Sequence, residues 1–144
     1  ECSGILKQFG IVYDMRILSA HRTPDEVAAF SKNAKHEGYS IIIAGAGMAA
    51  HLAGVISAHT TLPVIGIPLD ASLQGIDALF SMVQISPGVP VATMGVGKAG
   101  AKNAALLAVE ILSLMDDSLQ AKLDQYRQDM KKNVLEADES IKKL

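Results

Sequence analysis

A chain of 144 residues fits one domain with a real core, and its net charge of −2 gives no reason to expect nucleic acid or an anionic membrane as a partner. Cys2 is the single cysteine, which excludes an intramolecular disulfide framework and a cysteine metal cluster and points to a reducing cytoplasmic setting. Between Tyr39 and Met115 the only Asp, Glu, Lys or Arg residues are Asp70, Asp77, Lys98, Lys102 and Glu110, so part of this neutral stretch is expected to be covered by other subunits.

Ser40 to Leu69 has no such charge at all, yet four glycines, Pro63, Pro68, His51, His59 and the Thr60-Thr61 pair break it into pieces too short for a membrane span. In chain order, Glu1 to Phe9 reads as the tail of a helix stopped by Gly10. Val12 to Leu18 alternates apolar residues with Asp14 and Arg16 and predicts a β-strand. It breaks into Ser19-Ala20-His21-Arg22-Thr23-Pro24, where a helix starts: Thr23 suits the cap, Pro24 the first helical position, and Glu26 completes a capping box. That helix carries Val27, Phe30 and Ala34 on one face and ends at Gly38. Ile41 to Ala44 is continuously apolar and predicts a central parallel strand.

Gly45-Ala46-Gly47 then turns into a helix through about Thr60, and Pro63 to Pro68 forms another buried strand. Leu73 to Val83 predicts a helix, Ser86-Pro87-Gly88 a turn, and Val91 to Val96 the last strand. A glycine-rich turn, Gly97 to Gly100, leads to an Ala/Leu-rich helix ending near Met115. Asp116-Asp117-Ser118 caps a charged rod with Leu119, Leu123, Tyr126, Met130 and Val134 on one stripe. Four strands alternating with helices predict a parallel α/β sandwich over residues 1–115, with a C-terminal helix over 116–144 packed on a neighbouring subunit.

His21 and Arg22 project where a strand ends and a helix begins, the usual ligand position in an open α/β sheet and one that favours anions. Imidazole as a residue type titrates at about pH 6.5 and can give and take a proton at neutral pH; guanidinium is a planar fork matched to phosphate or carboxylate. The bland alternatives are an exposed loop histidine and a solvated arginine. Gly45 to Ala50 formally matches the dinucleotide fingerprint, with Asp70 as the distant acid; a plain tight turn, or a backbone cradle for another planar ligand, fits as well. His51 and His59 lie eight residues apart, about 12 Å along one helix, too far to share a metal. His51 either lines the pocket mouth or is structural. Gly97-Lys98 fails as a phosphate loop because Ala92 and Ala99 stand where glycine and Ser or Thr are needed. The residues by themselves describe an α/β protein for a small anionic ligand, with histidine proton transfer at the strand ends.

Taken together, Ser19-Ala20-His21-Arg22-Thr23-Pro24 and Ala44-Gly45-Ala46-Gly47-Met48-Ala49-Ala50-His51-Leu52 resemble the two signature stretches of the PurE family, the 5-(carboxyamino)imidazole ribonucleotide mutases of purine biosynthesis. The resemblance continues through Pro63 to Pro68, Leu73 to Gln84, Pro87 to Thr93 and Gly97 to Ala105. It implies a flavodoxin-like three-layer α/β/α sandwich assembled as a cytoplasmic homo-octamer, with a ribonucleotide substrate and neither metal nor organic cofactor. By resemblance, His21 is the general acid/base. Ser19 and Arg22 hold the phosphate end, and Ala46, Gly47, His51 and Leu52 border the base and the transferred group.

Two departures stand out: Met48 and Ala53 replace a glycine and a proline common in the family. The family also opens with a strand ending in a G-S-x-S-D loop that binds phosphate and ribose, and the resemblance leads us to expect such a segment upstream of Glu1. A carboxylase using free carbon dioxide and a non-catalytic nucleotide-binding module are the alternative readings.

Overall fold

The computed structural model describes residues 1–142, which divide into two compact units, Glu1–Ala108 and Val109 onward. The first unit opens with α1 (Cys2–Phe9), which buries Leu6 and Phe9. Gly10 stops it in the left-handed conformation (φ 76°), and the Ile11 N–H reaches back to the Leu6 carbonyl at 2.9 Å. Glycine suits this position because a Cβ disfavours positive φ.

The expected strand at Val12–Leu18 is not formed. A strand exists only when a neighbour completes its hydrogen-bond ladder, and the described sheet has just three strands, none paired with this segment. Side chains hold it instead. The Tyr39 hydroxyl donates to Asp14 at 2.5 Å, and the Arg16 guanidinium lies 5.1 Å from the Phe30 ring centroid. Phe30 and Tyr39 meet edge to face, and Leu18 packs on the core. Val12 and Ile17 stay 97% and 99% exposed. The bond to Asp14 raises the Tyr39 phenol above its ordinary value, with smaller contributions from desolvation and nearby acids. Its native contact is therefore complete below the ordinary phenol range near pH 10 and is lost as pH rises through the higher folded value. In an absorbance titration of the phenolates, one tyrosine should ionise late in the native chain, and Asp14→Asn should bring it back toward its companions; an unchanged curve would count against the contact.

α2 (Pro24–Asn33) follows the Ser19–Pro24 turn, with Pro24 in the first turn as expected and Val27 and Ser31 buried. The predicted capping box is absent. Thr23 makes no side-chain cap bond; its hydroxyl turns back onto Ser19, accepting from the Ser19 N–H (2.9 Å) and donating to the Ser19 carbonyl (3.0 Å).

The sheet consists of β1 (Ile42–Gly47), β2 (Val64–Leu69) and β3 (Ala92–Thr93), all parallel in the order β1-β2-β3. Ile42 pairs with Val64 and Gly47 with Leu69, while Ile65 and Gly66 pair with Ala92 and Thr93. β2 is the centre, buried along its length except at Leu69. β1, expected to be central, is paired on one side only in the described sheet.

The crossover from β1 to β2 is α3 (Leu52–His59), and α4 (Ile76–Val83) leads from β2 to β3. Val27, Ala44, Ala53, Ile56, Val64 and Met82 form the centre of the core. Gly66 lets α4 close on the sheet, since a Cβ there would lie 2.9 Å from both Met82 Sδ and Val91 Cγ1. The helix predicted over Leu73–Val83 begins at Ile76; Leu73–Gly75 is a separate 3-10 turn with a left-handed kink at Gln74.

α5 (Gly97–Ser113) starts inside the stretch read as a glycine-rich turn. In the second unit, α6 (Asp117–Lys142) begins as predicted: Asp116 Oδ1 accepts the N–H groups of Ser118 (2.9 Å) and Leu119 (3.2 Å). These bonds, led by the Ser118 hydroxyl, hold the Asp116 carboxyl below the usual carboxylate range. Leu119 and Leu123 are buried, whereas Met130 and Val134 lower on the stripe are exposed. Among the described residues no helix is long and apolar enough to cross a membrane.

The architecture is thus α/β, with a parallel sheet whose strand ends all point one way.

Candidate active site

The loops after β1 and β2 leave the carboxyl ends of adjacent strands, and the Ser19–Pro24 turn meets the first of them through His21 and His51. That turn is closed by its own hydroxyls. The Thr23 N–H donates to the Ser19 carbonyl (2.9 Å), and the Arg22 N–H donates to Ser19 Oγ (3.2 Å). The Ser19 hydroxyl proton stays available to a ligand, since Oγ is used here as an acceptor. Arg22 is exposed and, among the described residues, is not paired with any carboxylate, so its fork is free to bind an anion.

β1 delivers the second part. Beyond Gly47 the chain reverses through Met48, which has φ 58°, and the His51 N–H donates to the Ala49 carbonyl at 2.8 Å. Ala50 drops into the core at 1% exposure and anchors the turn, while His51 emerges as the residue that caps α3. Its ring reaches back to the first turn: His21 Nε2 and His51 Nδ1 are 2.7 Å apart, with ring centroids at 4.9 Å and planes at 84°.

One shared proton has a definite chemical consequence. If His21 Nε2 donates, its Nδ1 is a bare acceptor and His51 Nε2 carries hydrogen; if His51 Nδ1 donates, those outer roles reverse. The neutral pair always offers one outer proton donor and one outer acceptor, and these exchange when the acceptor takes up a proton, the bridging proton passes across, and the donor releases its own.

Gly47 is required by close approach. A Cβ there would lie 2.7 Å from Ala71 Cβ and 3.5 Å from the Leu69 carbonyl oxygen. The turn after β2 therefore leans on the end of β1. In it the Ser72 hydroxyl donates to the Asp77 carboxylate, whose other oxygen accepts the Ala78 N–H at 2.8 Å at the start of α4. Leu73, Gln74 and Gly75 follow with φ of 44°, 55° and 78°. Met48, Leu73 and Gln74 are the non-glycine residues of positive φ among the described residues, and all three stand at this rim. A left-handed conformation costs an L-residue about 1–2 kcal/mol, and such strain persists only where its surroundings enforce it.

The structure joins His21 to His51 and Ser19 to Arg22. Ala46 and Gly47 lie on the last residues of β1, paired with Pro68 and Leu69. Leu52 opens α3 and packs on the core. His59 is structural, its Nδ1 bonded to the Val55 carbonyl at 2.8 Å. The dinucleotide fingerprint does not carry over, because Gly45 and Gly47 belong to β1 and the turn that follows is made by Met48, Ala49 and Ala50. No group of three or more metal-ligating side chains occurs among the described residues. The turn at Ala71–Gly75 and its tie to Asp77 escaped sequence reasoning. Asp77, the only charged residue between Ala71 and Gly97, was the available signal.

The AIR carboxylase family matches residues 1–133. N5-carboxyaminoimidazole ribonucleotide mutase of Methanocaldococcus jannaschii is 50% identical over 140 residues, 97% of this chain and 86% of that protein. The enzymes of the same name from Bacillus subtilis and Escherichia coli are 49% and 47% identical, over 95% and 92% of this chain and 85% and 79% of their own lengths. In three dimensions, the crystal structure of Treponema denticola PurE superposes with a TM-score of 0.84 at 29% identity, covering 96% of this chain and 86% of that one, so the fold is flavodoxin-like as the resemblance implied. With a match across nearly its whole length and relatives at half identity, the chain belongs to the AIR carboxylase (PurE) family.

Proposed function

We propose that the chain is a mutase of purine biosynthesis that converts 5-(carboxyamino)imidazole ribonucleotide to 4-carboxy-5-aminoimidazole ribonucleotide. The observation that carries the reading is the 2.7 Å His21–His51 bridge at the strand ends. When the carbamate C–N bond breaks, carbon dioxide leaves and the exocyclic nitrogen takes up a proton. When the ring carbon attacks that carbon dioxide, a C–C bond forms and the carbon gives up its proton. One proton is needed and one released, the exchange a donor-acceptor imidazole pair can serve. In this reading His21 is the acid/base at the ring carbon and His51 holds and recharges it. Ser19 and Arg22 take the phosphate, while the Ala46-Gly47 backbone and Leu52 bound the base. Glycine and alanine walls leave a small site in which carbon dioxide can be retained.

The reading extends to assembly in a reducing cytoplasm. The outer side of α4 and its approach leave Leu73, Ile76, Phe80 and Val83 at 74%, 50%, 57% and 53% exposure, with no charge among them. Such a stripe supports association with further copies, an octamer by family resemblance, and the α6 arm is proposed to pack on a neighbour. Supplying the carbamate ribonucleotide and, separately, aminoimidazole ribonucleotide with bicarbonate tests the activity. Turnover of the first at the higher rate is expected. Turnover of the second alone would make the protein a carboxylase, and binding without turnover would make it a nucleotide-binding module.

A further inference from the structure

We infer that the left-handed turn Leu73-Gln74-Gly75 is a built wall of the substrate site and that Asp77, acting through Ser72, is the residue that positions it. The inference rests on the mutase reading for its substrate, but its evidence is separate. Strain in this chain is concentrated rather than scattered: every non-glycine residue of positive φ among the described residues lies just beyond the end of β1 or β2, on the rim that holds His51. A turn serving only to connect a strand to a helix has no need of two consecutive left-handed side-chain-bearing residues, and such outliers gather at sites where geometry serves a ligand.

The turn is also held from three directions. Ser72, in extended conformation, is latched to Asp77 by its hydroxyl. Asp77 is fixed in turn by the Ala78 N–H, so the latch is anchored to the first residues of α4. On the other side Ala71 stands against Gly47, where even a methyl group would not fit. Gly75 closes the turn against Val96, the residue before α5, with a position for Cβ that overlaps Val96 Cγ1. A shift at Ser72 therefore moves Ala71 against the strand end from which Met48 and His51 depart. Asp77 is partly buried and engaged with Ser72 and Ala78, so it acts through the turn and not on substrate directly. Gln74 is exposed on the turn and carries a carboxamide able to donate to and accept from a polar ribonucleotide.

Ser72→Ala removes the latch and leaves the Ala78 N–H bond to Asp77 in place. In the full chain we expect KM for the carbamate ribonucleotide, and the dissociation constant of the carboxylated product by calorimetry, to rise about 3- to 10-fold, the effect of one lost hydrogen bond. The kcat should stay within about twofold, and Ser72→Thr, which keeps the hydroxyl, should restore both constants. Unchanged KM and product affinity in an active Ser72→Ala protein would overturn the inference and leave the mutase reading standing, as would a lower melting midpoint with both constants intact. A wild-type chain that neither turns over nor binds the ribonucleotide would overturn the two together.

Discussion

His21→Asn is expected to lower turnover by about 10²- to 10⁴-fold, the usual contribution of a positioned acid/base, with substrate affinity little changed. Asparagine keeps a polar group near the 2.7 Å contact to His51 but cannot carry a proton at neutral pH. The ribonucleotide would still meet Arg22, the Ser19 hydroxyl and the β1 end, so KM should move less than kcat. His51→Asn should cost less, since its carboxamide can still meet His21 Nε2. The double variant should be hardly worse than His21→Asn alone, because two residues working as one relay do not contribute additively. Steady-state kinetics of the three proteins decide it: near-normal kcat in His21→Asn would end the assignment, and multiplicative losses would break the pair into independent groups.

The largest effect on stability is expected from Gly100→Ala. Gly100 is buried in the first turns of α5, and a Cβ there would fall inside the Gly95 carbonyl oxygen and 2.5 Å from its carbon. Those atoms are backbone and cannot step aside as a flexible side chain would. Either the 94–96 loop moves away from the end of β3 or the start of α5 unwinds. Overpacking of this kind costs about 3 kcal/mol or more, and in a protein of this size it lowers the melting midpoint by roughly 10 °C. Gly95→Ala is the matched control. A Cβ at Gly95 meets nothing within 4 Å, and its change should stay within about 0.5 kcal/mol. Equal melting midpoints for the two variants would refute the account.

What could be read from sequence followed how local the cause was. Gly10 as a helix stop and Asp116 as a helix cap depend on neighbours a few residues away, and both are realised. The apolar runs at Ile42 and Val64 announced buried parallel strands with useful accuracy, because burial on both faces needs unbroken hydrophobicity. Val12–Leu18 shows the limit. Its alternation is a sound strand pattern, but the partner that would make it a strand is a tertiary fact, and here Asp14 and Arg16 bind Tyr39 and Phe30 instead. Thr23 had two possible partners, Ser19 and the helix N–H groups, and the closer turn took it.

For the site, both histidine-bearing stretches were legible as strand-end turns. No spacing, however, could say that rings 30 residues apart share a hydrogen bond. The left-handed turn at Leu73–Gly75 was hidden more deeply, since Leu and Gln there run against the ordinary preference for glycine.

The exposure of the His21–His51 bridge has a consequence for the identity of the atoms that move. Both rings are open to water, so the hydrogen between them exchanges with solvent between turnovers. In the proposed reaction the carbon dioxide unit stays with the molecule that released it, whereas the hydrogen leaving the ring carbon need not be the one that arrives at nitrogen. The protein would keep custody of the carbon and lend out the proton: carbon label stays intramolecular, and hydrogen label is diluted into the medium.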